Sequence, residues 1–465
     1  MTDSVKPIPD HSGSFFKGRF LIVGFSERTG LSAALFFAKR GIRFCISDNR
    51  TENEIMPALK KLREEYPDLN IPVFCGEQTP AQLSGIDYIL LSPGVPRKIP
   101  IIAAANGARI PVYNDVDLVC AFLPGKKIIG VTGTDGKTTV VTLLEALIGS
   151  EKKCIACGNN GKPVFEWFSY LSSSDIIIME LSSYMLEDIH FLRPCIGIIT
   201  NVAEDHLDRY NSFEEYYRTK YNILKHCGPG DFFIRNIDRP LPHFTLPVGV
   251  KAVEVSTSGK AAVFSADSER IHGPDVSLSW KDIPLQGIHN RENTLLASAA
   301  AHTCGISAAA ISRTLCSFMP LAHRMEPVPV KRDITVYNDS KATTIQAVLS
   351  ALQSAGDKIT LIAGGRGKQI SFLPLCDYLP YIHCCIAYGE EGKHILDTLG
   401  LDHTTYYYNF SDAVRAAWRN CLPGGTLLLS PGCTSWDQFS DYQERGNVFK
   451  KIISELDALQ CHEQN

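Results

Sequence analysis

Two hydrophobic rhythms alternate along the chain. Short apolar runs, many of them β-branched, recur as "RFLIVGF", "RFCISD", "DYILLSPG", "KKIIGVTG", "DIIIMELS", "CIGIITNV", "DFFIRN", "KITLIAGG", "HCCIAYG" and "GTLLLSPG". Helical patterns such as "VVTLLEALI" separate them. Unbroken apolar strands that end on Gly, Ser, Asp or Asn belong to parallel sheets covered by helices on their faces. The predicted class is therefore α/β, with ligands expected beyond the carboxyl ends of the strands.

Two breaks punctuate this alternation. In "LPGKK", residues 123–127, a Pro-Gly turn and two lysines precede a strand; in "HRMEPVPVKRD", residues 323–333, two prolines interrupt a helical pattern before "ITVYNDS". A chain of 465 residues exceeds what one core organises. The expectation is three domains, over residues 1–122, 123–326 and 327–465. No repeat of fixed period and no low-complexity tract interrupts them.

Charge narrows the partners. Lys and Arg number 46 against 50 Asp and Glu, a net charge of -4, which lacks the basic excess of a general nucleic-acid binder. The 15 cysteines are odd in number and scattered, and Cys45, Cys195, Cys384 and Cys385 fall in strand-like runs. That usage predicts reduced thiols in the cytoplasm rather than a disulfide framework. There is no HExxH helix for a protease zinc. The opening "MTDSVKPIPDHSGSFFKGRF" has no long apolar core. Nothing later reaches the roughly 20 uncharged apolar residues of a membrane span.

The sharpest chemical signal is "GVTGTDGKTT", residues 130–139, between a strand-like and a helix-like run. It departs from the Walker spacing GxxxxGK[ST], because Val131 stands where the first glycine belongs. The chemistry is still that of a phosphate loop. Glycines let backbone N–H groups face anionic oxygens, Lys137 reaches β- and γ-phosphates, and Thr138 offers a hydroxyl to Mg²⁺ at a helix N-terminus. The bland reading is a glycine-rich turn with a solvated lysine. Further on, Glu180 ends one apolar strand, and Asp205, His206 and Asp208 follow another. Acids and a histidine beyond parallel strands suit Mg²⁺ or substrate, although a lone histidine is more often structural. By position alone, Lys220 in "FEEYYRTKYNILKHC" reads as a solvated helical lysine.

Taken in order, "GVTGTDGKTT", "MELSSYMLEDI", "TNVAEDHLDRY", "YYRTKYNIL", "GIHNRENTLLASAAA", "HRMEPV" and "NDSKATT" resemble the Mur ligase family, ATP-dependent amide-forming enzymes of peptidoglycan synthesis. The resemblance spans essentially the whole chain. It implies an N-terminal Rossmann-like domain for a UDP-sugar, a central P-loop-type ATPase domain, and a C-terminal Rossmann-like domain that closes over the site with the amino acid. "LLLSPGCTSWDQFSDYQERGNVF" is similar to the branch that takes D-glutamate, so UDP-N-acetylmuramoyl-L-alanine and D-glutamate are the implied substrates, ATP and two Mg²⁺ the implied cofactors, and a monomer the implied state.

Residue by residue, the family's loop matches Gly133, Thr134, Asp135, Gly136 and Lys137, followed by Thr138 and Thr139. Asp135 replaces the usual Asn. Glu180 matches the acid that holds Mg²⁺, His206 a second metal ligand, and Lys220 the lysine that is carbamylated in the family; Ser182 lies just beyond Glu180 on the substrate side. Asn290 and Asn293 match adenine contacts, Arg324 a γ-phosphate contact, Asp339 a ribose contact, and Lys341 a phosphate or acyl-phosphate contact. Thr343, Lys368, Ser435 and Tyr442 match the D-glutamate site, with Tyr442 where Phe is commoner. Thr29 and Arg50 match UDP contacts and Asn159 a sugar-peptide contact, although "GFSERTG" departs from the commoner "GLGxTG".

Other readings stay open at this level. "GFSERTG" with Asp48 after it imitates a dinucleotide fingerprint, but GxxxxxG is not GxGxxG. A folate-polyglutamylating ligase shares the ATPase core, yet here about 120 residues precede the loop. An L-alanine-adding Mur ligase and a P-loop switch ATPase are the remaining rivals.

Overall fold

The computed structural model describes residues 17–463 apart from 27–28, 160–161, 204–208, 286, 320–321, 368–370 and 401–402. The candidate metal ligand His206, with Asp205 and Asp208, and the candidate D-glutamate contact Lys368 lie outside the described residues. The strands form three sheets.

The first sheet comprises β1 (Arg19–Val23), β2 (Arg43–Asp48), β3 (Val73–Cys75), β4 (Tyr88–Leu91) and β5 (Val112–Tyr113), all parallel, in the order 3-2-1-4-5. The second contains β6 (Lys127–Thr132), β7 (Cys154–Gly158), β8 (Ile176–Glu180), β9 (Ile196–Ile199), β10 (Phe232–Asn236), β11 (Lys251–Ser256), β12 (Phe264–Ala266), β13 (Arg270–Gly273) and β14 (Val276–Ser279). Its order is 14-13-12-11-10-9-6-8-7, parallel up to an antiparallel edge formed by β12, β13 and β14. In the third, β15 (Glu326–Pro327) pairs antiparallel with β16 (Thr335–Asn338); β17 (Ile359–Gly364), β18 (Ile382–Tyr388), β19 (Thr404–Tyr407) and β20 (Thr426–Gly432) complete the order 15-16-20-17-18-19. All ten strand-like runs of the sequence lie in these sheets.

The reason is burial on both faces. β8 reads Ile-Ile-Ile-Met-Glu and every residue of it is buried; β17 and β20 are likewise buried throughout. Such strands have no polar face, so they need helices on each side. The α/β class read from the sequence is the observed one.

The chain forms two compact units, one running up to Ile283 together with Arg291–Ser317, the other formed by Pro284–Asn290 and the chain from Phe318 onward. The first unit holds the first two sheets. The helix Thr29–Lys39 packs Phe36 against Phe122, Phe165 and Phe168, with ring centroids 5.1, 4.7 and 4.9 Å apart. Thus apolar surface from both sides of the "LPGKK" break shares one core. The second unit has its own core on either face of the third sheet, around Ile359, Leu361 and Leu428 on one side and Ile362, Trp418 and Phe449 on the other.

Candidate functional site

The glycine loop sits where β6 hands over to the helix Lys137–Gly149. Gly133 and Gly136 have φ of 146° and 78°, left-handed values that side chains rarely adopt. A Cβ on Gly133 would run into the Thr200 hydroxyl, and one on Gly136 into the Asn293 carboxamide. The loop is therefore held closely by its neighbours. Thr200 Oγ1 donates to Asp135 O at 2.5 Å, Asp135 N donates to Asn201 Oδ1 at 2.9 Å, and Thr134 N donates to Asn201 O at 3.0 Å. Thr200 and Asn201 directly follow β9 and were assigned no role from sequence. The Asp135 side chain is exposed while its backbone is pinned. Thr138 and Thr139 lie half-buried in the first helical turn.

Two lysines converge on the same carbonyl. Lys137 Nζ donates to Gly133 O at 2.9 Å and Thr134 O at 2.6 Å; Lys220 Nζ donates to Gly133 O at 2.8 Å. Lys220 is not the solvated lysine that its helical position suggests. It is 1 % exposed, with its ammonium 4.3 Å from the centroid of the Tyr216 ring. Tyr216 OH lies 3.2 Å from Thr134 Oγ1. The helix Phe213–Tyr221 turns Tyr216 and Lys220, four residues apart, toward the loop from one face.

Glu180 ends β8 beside Val131 of β6. Its side chain is buried: Asn159 Nδ2 donates to Oε1 at 3.0 Å, whereas Oε2 has no hydrogen-bond partner among the described residues. The Thr132 hydroxyl, at the end of β6, is likewise buried without a partner. Asn159, read from likeness as a sugar-peptide contact, bonds the Glu180 backbone and side chain here. Ser182 follows, half-buried.

A cleft of about 350 Å³ opens on the same unit. Thr29 and Arg50 line it with Ser26, Asp48, Ser92 and Asn159. Arg50 grips Asp48 with Nε to Oδ1 and Nη2 to Oδ2, both 2.9 Å, and Nη2 also donates to Phe25 O. Phe25 N donates back to Asp48 Oδ2 at 2.6 Å. Burial pushes the Asp48 carboxyl up, but the bonds from Arg50 and Phe25 outweigh it and hold the group below its ordinary value. Asp48 is thus committed to the loop after β1 and to Arg50, which removes the free ribose acceptor that the dinucleotide reading requires.

In the second unit, the turn after β16 carries Asp339, Lys341 and Thr343. Asp339 is buried, accepts from Met325 N at 3.2 Å and from the Ser430 hydroxyl at 2.9 Å, and is pushed by burial to a pKa of about 7. Arg324, next to Met325, opposes that shift. Lys341 Nζ is 5.0 Å from the centroid of the Tyr442 ring. Ser340 Oγ donates to Tyr442 O at 2.8 Å, and the wholly buried Arg445 donates to Ser340 and Cys433 O. Ser435, also buried, follows β20. The structure therefore gathers Arg324, Asp339, Lys341, Thr343 and Tyr442 around one turn. Asn290 and Asn293 share the helix Ile288–Thr303, but the division between units falls between them, and Asn293 is the one against Gly136.

A lysine-bearing glycine turn between strand and helix, with a buried acid on the neighbouring strand end, defines a phosphate-handling α/β protein. Three family models match the chain: the Mur ligase MurD-like N-terminal domain over residues 18–114, the Mur ligase middle domain over 131–301, and the Mur ligase glutamate ligase domain over 323–433. A UDP-N-acetylmuramoylalanine–D-glutamate ligase of Geotalea uraniireducens is 33% identical, over 94% of this chain and 98% of its own length. The protein of that name from Bacillus subtilis is 32% identical over 95% and 98%. The chain belongs to the Mur ligase family, and is a ligase of peptidoglycan synthesis.

Solved structures agree on fold alone. A pseudomurein peptide ligase type C from Methanothermus fervidus has a TM-score of 0.59 at 15% identity, covering 95% of this chain and 100% of that one. A UDP-N-acetylmuramate-alanine ligase from Thermotoga maritima has 0.58 at 19%, covering 94% and 99%.

Proposed function

We propose that this protein joins D-glutamate to UDP-N-acetylmuramoyl-L-alanine at the expense of ATP, through an acyl phosphate, as a cytoplasmic monomer. The observation that carries the ATP half is Glu180. A carboxylate oxygen buried without a donor is costly, and one placed beside a phosphate-type loop suits a hard cation that seeks oxygen ligands. The Thr132 hydroxyl, at the end of the strand that pairs with β8, is also buried without a partner among the described residues. Bound Mg²⁺ would neutralise phosphate charge as it develops.

The chain's own residues then have definite tasks. Backbone N–H groups of Gly136, Lys137 and Thr138, at the start of the helix, would face the phosphates, those of Thr134 and Asp135 being held by Asn201, and the Lys137 ammonium, now on Gly133 O and Thr134 O, would turn to the β- and γ-oxygens. Asn293 would hold the base side of the nucleotide; Asn290, Arg324 and Asp339 would complete the nucleotide contacts, with Lys341 beside the transferred phosphoryl group. The carboxylate of the acceptor attacks the γ-phosphorus, ADP leaves, and the amine of D-glutamate then displaces phosphate from the acyl carbon. Thr29, Arg50, Asn159 and Ser182 serve the acceptor, and Thr343, Lys368, Ser435 and Tyr442 serve D-glutamate. Two Mg²⁺, His206 as a ligand, and a carbamate on Lys220 complete the reading. In domain terms, 1–122 would take the UDP-sugar, 123–326 the ATP and 327–465 the amino acid.

The test is ADP release by the purified protein against a panel of UDP-sugar acceptors and L- and D-amino acids. Turnover is expected only with UDP-N-acetylmuramoyl-L-alanine and D-glutamate together, with a product mass equal to their sum less water. ADP release indifferent to both would overturn the reading.

A further inference from the structure

Glu187, on the segment after β8, makes four hydrogen bonds to donors from two separate stretches of the first unit. Arg97 Nε donates to its Oε2 at 2.6 Å. Arg209 donates to both oxygens, Nε to Oε1 and Nη2 to Oε2, each at 2.8 Å, and the Tyr210 hydroxyl donates to Oε1 at 3.0 Å. Arg97 is also paired with Asp188. Arg209 reaches on to Pro93 O at 3.4 Å and lies 4.0 Å from the centroid of the Tyr184 ring. The Glu187 side chain is 12% exposed, so solvent screens these charge-assisted bonds little.

The placement gives the network its consequence. Arg97 follows Pro93, Gly94 and Val95, which line one wall of the 350 Å³ cleft, while Met185, two residues before Glu187, lines the facing wall. The first wall belongs to the loop after β4 of the first sheet; the second follows β8 of the second sheet. Apart from these side chains, the start of that loop is tied to the first sheet by Ser92, whose N bonds Val23 O and whose hydroxyl donates to Gly24 O, and Val95 N bonds Ser92 O; toward the second sheet its further bond is Lys98 Nζ to Asn211 Oδ1 at 3.1 Å. Arg97 divides its guanidinium between Glu187 and Asp188, and Arg209 holds both Glu187 oxygens while reaching Pro93 O, so the spacing of the walls is constrained in angle as well as distance.

We infer that Glu187 is a positioning residue for the acceptor: with Arg97 and Arg209 it clamps the two walls of the cleft so that the UDP-sugar meets a pre-formed site. Glu187 is not among the residues that line the cleft. The inference rests on the assignment of the cleft to the UDP-sugar acceptor. Preorganisation lowers the ordering that a ligand must impose, so loss of the clamp shows in acceptor KM before it shows in kcat.

The experiment measures KM for acceptor, ATP and D-glutamate in wild type, Glu187→Gln and Arg97→Gln, with amide hydrogen exchange over residues 93–98. Each variant is expected to raise acceptor KM about tenfold, to leave the other two KM values within about twofold, and to speed exchange over 93–98. The double variant should raise acceptor KM by less than the product of the two single effects, since the Arg97–Glu187 tie is common to both. Unchanged acceptor KM and unchanged exchange, or an equal rise in all three KM values, overturns the clamp. If Glu187→Gln does not fold, Arg97→Gln decides alone, its side chain being 25% exposed at the rim. Wild type lacking acceptor-dependent turnover would instead sink the acceptor assignment, a result separate from either.

Discussion

Lys137 and Lys220 share the Gly133 carbonyl, yet replacing them should have different signatures. In the proposed reaction Lys137 would turn to a phosphate, so Lys137→Ala is expected to cut ADP release in the presence of both substrates by at least about 100-fold, read in a coupled ADP assay; unimpaired release would remove it from the phosphate site. Lys220 is sealed in. Its ammonium donates to Gly133 O now, and a carbamate there would present oxygens instead, so Lys220→Ala should be inactive and partly restored by added formate or acetate. A variant as active as wild type ends the carbamate reading. Asp339 sets a pH dependence whose sign is fixed by its burial. Its pKa is about 7 in the folded protein against an ordinary 3.8. Between these values the folded chain keeps a proton that the unfolded chain has released, so stability falls as pH rises from about 4 to about 7. The full displacement corresponds to at most about 4 kcal/mol. Urea melts at pH 5 and pH 7.5 should therefore show a drop in wild type that Asp339→Asn lacks; equal drops in both would place the titration elsewhere.

Between elements, the loop is held from the strand beside it. Asn201, just past β9, binds the backbone of Thr134 and Asp135, and Thr200 binds Asp135 O. Asn201→Ala removes the side-chain acceptor of Asp135 N, and is expected to raise KM for ATP about tenfold with acceptor KM unchanged; initial rates against ATP decide it, and an unaltered ATP KM would make the contact incidental. That contact explains what could be read in advance and what could not. Strands β6, β8, β9, β17 and β20 were legible because burial on both faces leaves a continuous apolar run, and the loop because glycine and lysine stand at a strand-to-helix turn. The pairing of Asn201 with Asp135 spans 66 residues, and no local pattern encodes it. The same holds for Asp117, whose buried carboxylate accepts from the backbone N–H groups of His190, Phe191 and Leu192. Helix position alone makes Lys220 a solvated lysine, since the partner that buries its ammonium, the Gly133 carbonyl, lies 87 residues away. The edge strands β13 and β14 are half-polar, and offered no run to find.

At the scale of the whole chain, the break at "LPGKK" and the one at "HRMEPVPVKRD" have unequal physical weight. Across the first, Phe36, Phe122, Phe165 and Phe168 bury one another, and Arg97 and Arg209 meet on Glu187. Beyond the second, the third sheet closes its own two cores. Cooperativity follows shared burial, so the first two sheets are expected to melt as one body and the third as another. Calorimetry on the intact protein should resolve two transitions. UDP, whose proposed cleft lies wholly on the first unit, should raise the transition of that unit alone, by about 2.7 kcal/mol at a hundredfold excess over its Kd. Assignment of the peaks comes from Trp418→Phe, which thins a core of the third sheet and should lower only the other transition. If UDP moves the transition that Trp418→Phe lowers, or if neither responds, the cleft does not bind the nucleotide where its residues place it. A single transition displaced by both would mean that the chain unfolds as one body despite its separate cores.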